Sequence, residues 1–155
     1  MQVENIIMAA PSIPRPARRA ALATVLVVAL SLLAACLNPS QSQVQQELNK
    51  DRNAHGLRSL GAQADAQRKA QAWAERLARE NRLYHSTLTD GIGVRWCSIG
   101  ENVGYGGSVA GVQDAYMNSP DHRRNILSST WNGVGVGYAR NGSRVYTVQV
   151  FIKTC

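Results

Sequence analysis

Apolar side chains recur at helical spacing in two stretches that follow residue 43. Val44 and Leu48 stand four residues apart, which predicts a helix that is capped by Ser40 or Ser42 and ends near His55. A second helix is predicted over residues 64–81, because small and large apolar residues repeat there every three or four positions. Its apolar face consists of Ala66, Ala70, Trp73, Leu77 and Ala78.

The middle of the chain contains shorter and weaker signals. Residues 96–99 form a short strand candidate, and the glycine-rich residues 104–107 are predicted as a loop. Ser108 is a suitable N-cap for a third helix, whose apolar face would carry Val109, Val112 and Tyr116. Ser119 and Pro120 predict a further helical turn, since serine favours the N-cap position and proline the first helical position.

The last part of the chain has the pattern of a β-hairpin. Valine or tyrosine alternates with glycine over residues 133–138, and Asn141-Gly142 is a favoured pair for a type I′ turn. The returning residues 145–152 place apolar side chains on both faces, which predicts a central strand that is covered on both sides. Helices around a small antiparallel sheet make an α+β fold.

The N-terminal segment has the pattern of an export signal. Three arginines precede an uncharged stretch over residues 20–35, which ends in Leu-Ala-Ala-Cys. This tail resembles a bacterial lipobox, so residues 1–35 are predicted to be a lipoprotein signal peptide and Cys36 to be lipidated. Residues 36–43 would then form a tether. A membrane-spanning anchor that is retained instead of cleaved is the alternative. Either Met1 or Met8 is the first residue to be translated.

Length and charge narrow the class of protein. The 155 residues suit one ordinary domain, and the net charge of +7 is spread without a run of five basic residues, which argues against a nucleic-acid partner. The chain has no P-loop, GxGxxG, HExxH or CxxC motif. In an exported domain, Cys97 and Cys155 are expected to form a disulfide; two separately buried thiols are the alternative.

Five motifs in order resemble the bacterial branch of the CAP superfamily, the cysteine-rich secretory, antigen 5 and pathogenesis-related 1 proteins. They are Trp-Ala-Glu-Arg-Leu-Ala from residue 73, Tyr-His-Ser from 84, Gly-Glu-Asn-Val from 100, Ser-Pro-Asp-His-Arg-Arg-Asn-Ile-Leu from 119, and the Gly-Val-Gly-Val-Gly hairpin. The resemblance covers roughly residues 44–152, within a CAP domain assigned to residues 44–155. It implies an exported three-layer α-β-α sandwich with a cleft that gathers two histidines and acidic residues.

The resemblance assigns the cleft to His85, Glu101 and His122. A second glutamate found in many eukaryotic members is replaced here by Ser119, which also suits a helix N-cap, so general acid–base catalysis is disfavoured. Two imidazoles are suitable Zn²⁺ ligands, and His85 and His122 are expected to bind zinc with water completing the site. The remaining alternatives are a helix-end histidine at 85, a loop-organising carboxylate at 101, and a first-turn residue that packs on its own helix at 122.

Three functions follow from this interpretation. The first is a lipid-anchored protein on the outer face of the cell membrane or in the cell envelope, which binds a small or lipidic ligand, or a metal, in the cleft. The alternatives are a metal-assisted hydrolase or peptidase, and a non-catalytic module that binds a partner protein. We expect a monomer whose contact with the membrane runs through the N-terminal lipid.

Overall fold

A computed structural model describes residues 37–155, so the predicted signal peptide and the lipidation of Cys36 lie outside the described residues. The described residues form four helices and three strands. In chain order these are α1 (Pro39–Ala54), α2 (Ala64–Glu80), β1 (Trp96–Gly106), α3 (Val109–Asn118), α4 (Pro120–Ile126), β2 (Gly133–Asn141) and β3 (Arg144–Thr154).

The first helix begins earlier than predicted. Asn38 caps it, because the Asn38 side chain accepts a hydrogen bond from the Gln41 backbone N–H and the Gln41 side chain accepts one from the Asn38 N–H. Pro39 occupies the first helical turn, where its missing N–H costs nothing. The assignment of residues 36–43 to a tether is therefore wrong from Pro39 onward, since those residues are helical and neither serine is the cap.

The sheet is antiparallel in the order β1-β3-β2, which confirms β3 as the central strand. Alternate residues of β3 enter two separate hydrophobic cores. One core joins the sheet to α1, α3 and α4, and the other joins it to α2. The structure thus confirms the α+β fold and its three-layer α-β-α arrangement.

Helix α2 lies unusually close to β2. A Cβ atom added to Gly135 would be 2.0 Å from the carbonyl carbon of Ala66, and one added to Gly137 would be 2.0 Å from the Ala70 carbonyl oxygen. Any side chain at these two positions would therefore push the helix away. The glycines that alternate in this strand therefore let the helix approach the sheet.

The outer edge of β2 is paired by side chains of α2. The Gln67 side chain accepts a hydrogen bond from the Val136 N–H and donates one to the Val136 carbonyl oxygen. Gln71 makes the same two contacts with Tyr138. The two glutamines thus satisfy backbone groups that an edge strand would otherwise expose to another chain.

Two local predictions are corrected. The hairpin loop is Gly142-Ser143, because Asn141 pairs with Arg144 in the sheet. Gly142 has a φ of +57° and Ser143 does not have a positive φ, which is the pattern of a type II′ turn. Residues 104–106, predicted as a loop, belong to β1, which pairs with β3 over its whole length.

A disulfide joins Cys97 to Cys155, as predicted. The two Cα atoms are 5.2 Å apart, and the bond ties the start of β1 to the C-terminus. Because 58 positions separate the two cysteines, the bond restricts a long loop of the unfolded chain. It fixes the strand that carries Glu101 at one end.

Candidate functional site

Glu101 is a buried carboxylate in the middle of β1, whereas the strand predicted over residues 96–99 would have ended before it. Its side chain is 1% exposed. Oε1 accepts hydrogen bonds from the Ser86 backbone N–H at 3.0 Å and from the His85 ring at 2.8 Å, and Oε2 accepts one from the Ser86 hydroxyl at 2.6 Å. The carboxylate therefore fixes the segment that carries the histidine.

His85 is the exposed member of this pair. Its side chain is 60% exposed, and Nδ1 is the atom that contacts Glu101. Among residues 37–155, its Nε2 makes no hydrogen bond. Asn81, the residue that caps the C-terminus of α2, has the left-handed conformation with a φ of +49°. The Trp73 ring N–H donates a hydrogen bond to the Tyr84 carbonyl oxygen. The chain therefore turns back after α2 and places His85 beside β1.

A buried lysine lies on the α2 side of Glu101. Lys69 donates to the carbonyl oxygens of Thr87 and Asp90, at 2.7 and 3.1 Å, and so closes the turn that follows His85. Burial lowers the pKa of Lys69, and the negative charges of Glu101 and Asp90 oppose that lowering. Sequence reasoning missed this residue, because a lysine among alanines on a helix has the pattern of a solvated side chain.

His122 approaches β1 from the other face of the sheet. It lies in the first turn of α4, where its Nδ1 is 2.9 Å from the Ser119 hydroxyl oxygen. Its ring lies 5.1 Å from the ring of Tyr116, and its backbone carbonyl accepts a hydrogen bond from the Asn102 amide. Ser119 stands at the N-cap position of α4 but makes no capping hydrogen bond, so its hydroxyl serves the histidine instead.

The electrostatics of His122 favour its neutral form. Burial lowers the pKa of His122, the charge of His85 lowers it further, and Asp121 acts in the opposite direction. His122 therefore presents a neutral imidazole near pH 7.

A small pocket opens beside His122 at the edge of β1. Its volume is about 220 Å³, and Ser119 and His122 form its polar end. The remaining wall comes from the segment after α2, from β1 and from α3, and it is mainly apolar. The wall residues are Leu83, Val103, Gly104, Tyr105, Val112, Ala115 and Tyr116.

Glycine at position 104 is required for this wall. A Cβ atom there would lie 2.8 Å from the Tyr116 ring, so only glycine lets that ring lie this close to β1. The Tyr116 hydroxyl then reaches across to donate to the Thr147 carbonyl oxygen at 2.9 Å. Tyr116 is fully buried, and burial raises the pKa of its hydroxyl.

A series of hydrogen-bonded amide side chains connects the elements that carry the site. Asn125 donates to Asn102, Asn102 to Gln149, Gln149 to Gln113, and Gln113 to Asp51. This network connects α4, β1, β3, α3 and α1 with every buried polar side chain satisfied among the described residues. The signal in the sequence was the single glutamine at 149 within the apolar β3 pattern.

The predicted site residues therefore form two hydrogen-bonded pairs, one on each side of the β1 edge. Glu101 joins His85, and Ser119 joins His122. Among residues 37–155, no three side chains of histidine, cysteine, aspartate or glutamate are grouped so that they could hold a metal ion. The facing arrangement of the two histidines around zinc stays a prediction.

The sequence of this chain is similar to that of a known bacterial protein. YkwD, an uncharacterized protein of Bacillus subtilis (strain 168), is 30% identical over 122 residues, which cover 73% of this chain and 47% of YkwD. The chain thus spans about half the length of this curated relative. In the part of the chain that the structure describes, no helix is long and apolar enough to cross a membrane.

Solved structures share the fold. An outer surface protein from Borrelia burgdorferi aligns with a TM-score of 0.65 at 17% identity, over 75% of this chain and 93% of that protein. An extracellular protein with an SCP domain from Bacillus anthracis str. Ames aligns with a TM-score of 0.61 at 25% identity, over 77% of this chain and 45% of that protein. The family model of the cysteine-rich secretory proteins, CAP, matches residues 45–152. The chain therefore belongs to the CAP family.

Proposed function

We propose that this chain is an exported, lipid-anchored protein that binds a small amphiphilic ligand at the edge of β1. The anchor proposal rests on the Leu-Ala-Ala-Cys tail of the signal segment. Export is supported by the similar B. anthracis protein, which is described as extracellular. Metabolic labelling with a fatty-acid analogue tests the anchor: the parent incorporates label and Cys36→Ser does not, whereas equal labelling of the two contradicts it.

The pocket beside His122 is the observation that carries the ligand proposal. It has a mainly apolar wall and a polar end, which is the arrangement that holds an apolar body and orients a polar head. Its volume of about 220 Å³ lies below the usual range of roughly 300–1,000 Å³ for ligand sites. The ligand is therefore small, or one end of a longer acyl chain enters the pocket.

The polar end is suited to a carboxylate or hydroxyl head. Nδ1 of His122 is engaged by Ser119, so its Nε2 is the ring atom that remains to contact a ligand. A neutral imidazole N–H and a hydroxyl can each donate a hydrogen bond to the oxygen atoms of such a head. The two groups are ordered before the ligand arrives, because the Asn102 amide holds the His122 backbone.

Calorimetric titration with straight-chain alkanoates of increasing length tests this proposal on the domain of residues 37–155. Each methylene that enters the pocket contributes about 0.8 kcal/mol, or roughly a fourfold gain in affinity, until the pocket is full. Ala115 is exposed at the rim of the pocket, so Ala115→Leu should fill the pocket and abolish the gain in affinity with each added methylene. Ala110→Leu, exposed on the same helix outside the pocket, is the matched control. Affinity that is independent of chain length contradicts the proposal.

Zn²⁺ is the metal that we propose for the two imidazoles. In His85, the contact of Nδ1 with a buried carboxylate is the arrangement that commonly orients a zinc-ligating histidine and leaves Nε2 for the metal. His122 is held similarly by Ser119, and Glu101 acts on His85 without being a ligand. His85 and His122 would supply two protein ligands, one fewer than an open zinc site commonly has, and water would complete the coordination.

Zinc calorimetry with single variants tests this second proposal. His85→Ala and His122→Ala should each abolish binding, and the exposed His55→Ala should leave it unchanged. Affinity should fall as the pH drops through roughly 6, because ligation requires neutral imidazole. Unchanged binding by both site variants would exclude a metal at this cleft.

A further inference from the structure

Six exposed residues form a mixed basic and apolar surface where the β2–β3 hairpin meets the end of α2. We name this surface the hairpin patch. Leu83 and Tyr105 are 45% and 47% exposed, and they are two of the four large apolar side chains that residues 37–155 expose. The patch consists of Arg79, Arg82, Leu83, Tyr105, Arg140 and Arg144.

Direct contacts bring these residues together. Arg79 and Arg140 line one open groove between α2 and the end of β2. The Arg144 guanidinium lies 5.0 Å from the centre of the Tyr105 ring and donates to the Asn81 side chain at 3.0 Å. Asn81 directly precedes Arg82 and Leu83, and Leu83 lines one pocket together with Tyr105.

The charge of the hairpin patch is largely uncompensated. Among residues 37–155, none of its four arginines forms a salt bridge. Of the nearby acids, Glu80 is paired with Arg76, and Glu75 lines the groove with Arg79. Cations near the C-terminus of α2 also complement its dipole, but that effect explains neither the arginine on β2 nor the exposed apolar side chains beside it.

The first turn of α1 lies beside the middle of α2. The Gln41 amide in the first turn of α1 donates to Gln71 at 2.7 Å, and Gln71 pairs with Tyr138. Arg140 is two residues beyond Tyr138, and Arg79 is about 12 Å beyond Gln71 along the helix axis. Leu37 and Asn38 are the residues between Cys36 and α1, and they span at most about 7 Å.

We propose that the hairpin patch docks on an anionic phospholipid bilayer, with arginines on the headgroup phosphates and Leu83 and Tyr105 in the interfacial layer. The inference rests on the proposed anchor, since a lipid on Cys36 would keep the domain at the membrane surface. Basic side chains attract anionic headgroups, and an aromatic ring with a polar tip suits the interface. Leu83 and Tyr105 also line the ligand pocket, so docking turns its mouth toward the bilayer.

Vesicle flotation of the unlipidated domain tests this docking. Residues 37–155 contain both cores, the whole sheet, the disulfide and the Asn38 cap, and form one compact unit, so they can be studied without the anchor. We expect the domain to float with phosphatidylglycerol vesicles and not with phosphatidylcholine vesicles. Removing Arg79, Arg140 and Arg144 together by substitution with glutamine should lower the partition coefficient about a hundredfold, roughly fivefold for each arginine.

A matched triple variant separates the patch from net charge. Arg58, Arg95 and Arg124 are exposed outside the patch, and their joint substitution with glutamine removes the same charge. That control should keep most of the binding, and melting temperatures confirm that both triples fold. Equal losses in the two triples overturn the proposal, as does equal flotation of the parent with both lipids.

Competition with inorganic phosphate shows whether the arginines bind lipid headgroups or a free phosphate ion. If inorganic phosphate displaces the domain more than chloride at equal ionic strength, the arginines hold a free ion and the proposal fails. Displacement that depends on ionic strength alone supports headgroup binding. Because the domain tested carries no lipid, its vesicle result is independent of fatty-acid labelling at Cys36, and each proposal fails separately.

Discussion

Glu101→Gln measures how strongly the buried carboxylate organises the site. The side chain is 1% exposed and accepts three hydrogen bonds, from the Ser86 N–H, the Ser86 hydroxyl and the His85 ring. Glutamine has the same shape, so no cavity forms. Its carbonyl oxygen can replace Oε1, and the Ser86 hydroxyl can accept from the new amide. What the substitution removes is the charge.

The magnitude follows from the difference between charged and neutral hydrogen bonds. Bonds to charged groups contribute about 1.5–3 kcal/mol and neutral ones about 0.5–1.5 kcal/mol, so the two bonds at Oε1 lose about 2 kcal/mol together. The buried Lys69 also loses an opposing charge. Relief of the carboxylate's own desolvation offsets part of this loss. We expect a net destabilisation of about 2 kcal/mol.

Urea unfolding of the parent and variant is the appropriate assay. The midpoint should fall while the slope stays constant, because the folded surface does not change. Glu75→Gln is the matched control: that carboxylate is exposed, and it should change the free energy of unfolding by no more than about 0.5 kcal/mol. If Glu101→Gln destabilises no more than the control, the carboxylate does not organise the site as described.

Three other predictions follow from the described contacts. Gly135→Ala should destabilise by about 1–3 kcal/mol because its Cβ would meet the Ala66 backbone, whereas Gly61→Ala has open space and should be neutral or slightly stabilising in urea unfolding. In His85→Gln the pKa of His122, followed by NMR, should rise, because the charge of His85 adds to burial in lowering it in the parent; an unchanged value contradicts this electrostatic influence. Since the pKa of His122 is depressed from 6.5 in the folded domain, the unfolded chain takes up the proton first, so the free energy of unfolding should fall as the pH drops from about 6.5 through the folded pKa. His122→Gln should flatten that decline in pH-dependent melting curves.

The parts of the fold that local periodicity determines were predictable. The repeat of α2 and the two apolar faces of β3 both predicted the correct element, because helical and strand spacing are properties of neighbouring residues. The length of β1 was not predictable, since its glycine-rich end has the composition of a loop. Pairing with β3 makes this glycine-rich end a strand, and the absence of a side chain at Gly104 leaves space for the Tyr116 ring.

The site was predictable to a smaller extent. His85 and Glu101 are 16 positions apart on different elements, and the motifs shared with a family identified them where spacing alone did not. The sequence pattern assigned Ser119 to the N-cap, but its hydroxyl contacts His122. The pocket has walls from several elements, and Lys69 is buried only because the turn after His85 folds over it, so both depend on tertiary packing.

Mass spectrometry of small molecules released from the purified protein shows directly whether the pocket beside His122 holds a ligand. We expect the parent and Ala110→Leu both to release an amphiphile with an apolar chain and a polar head, and Ala115→Leu to release none. The protein should be isolated from membranes of the cells that make it, so that the natural ligand is available. Release of the same molecules from Ala115→Leu, or of no such molecule from the parent, would contradict a ligand-binding pocket beside His122.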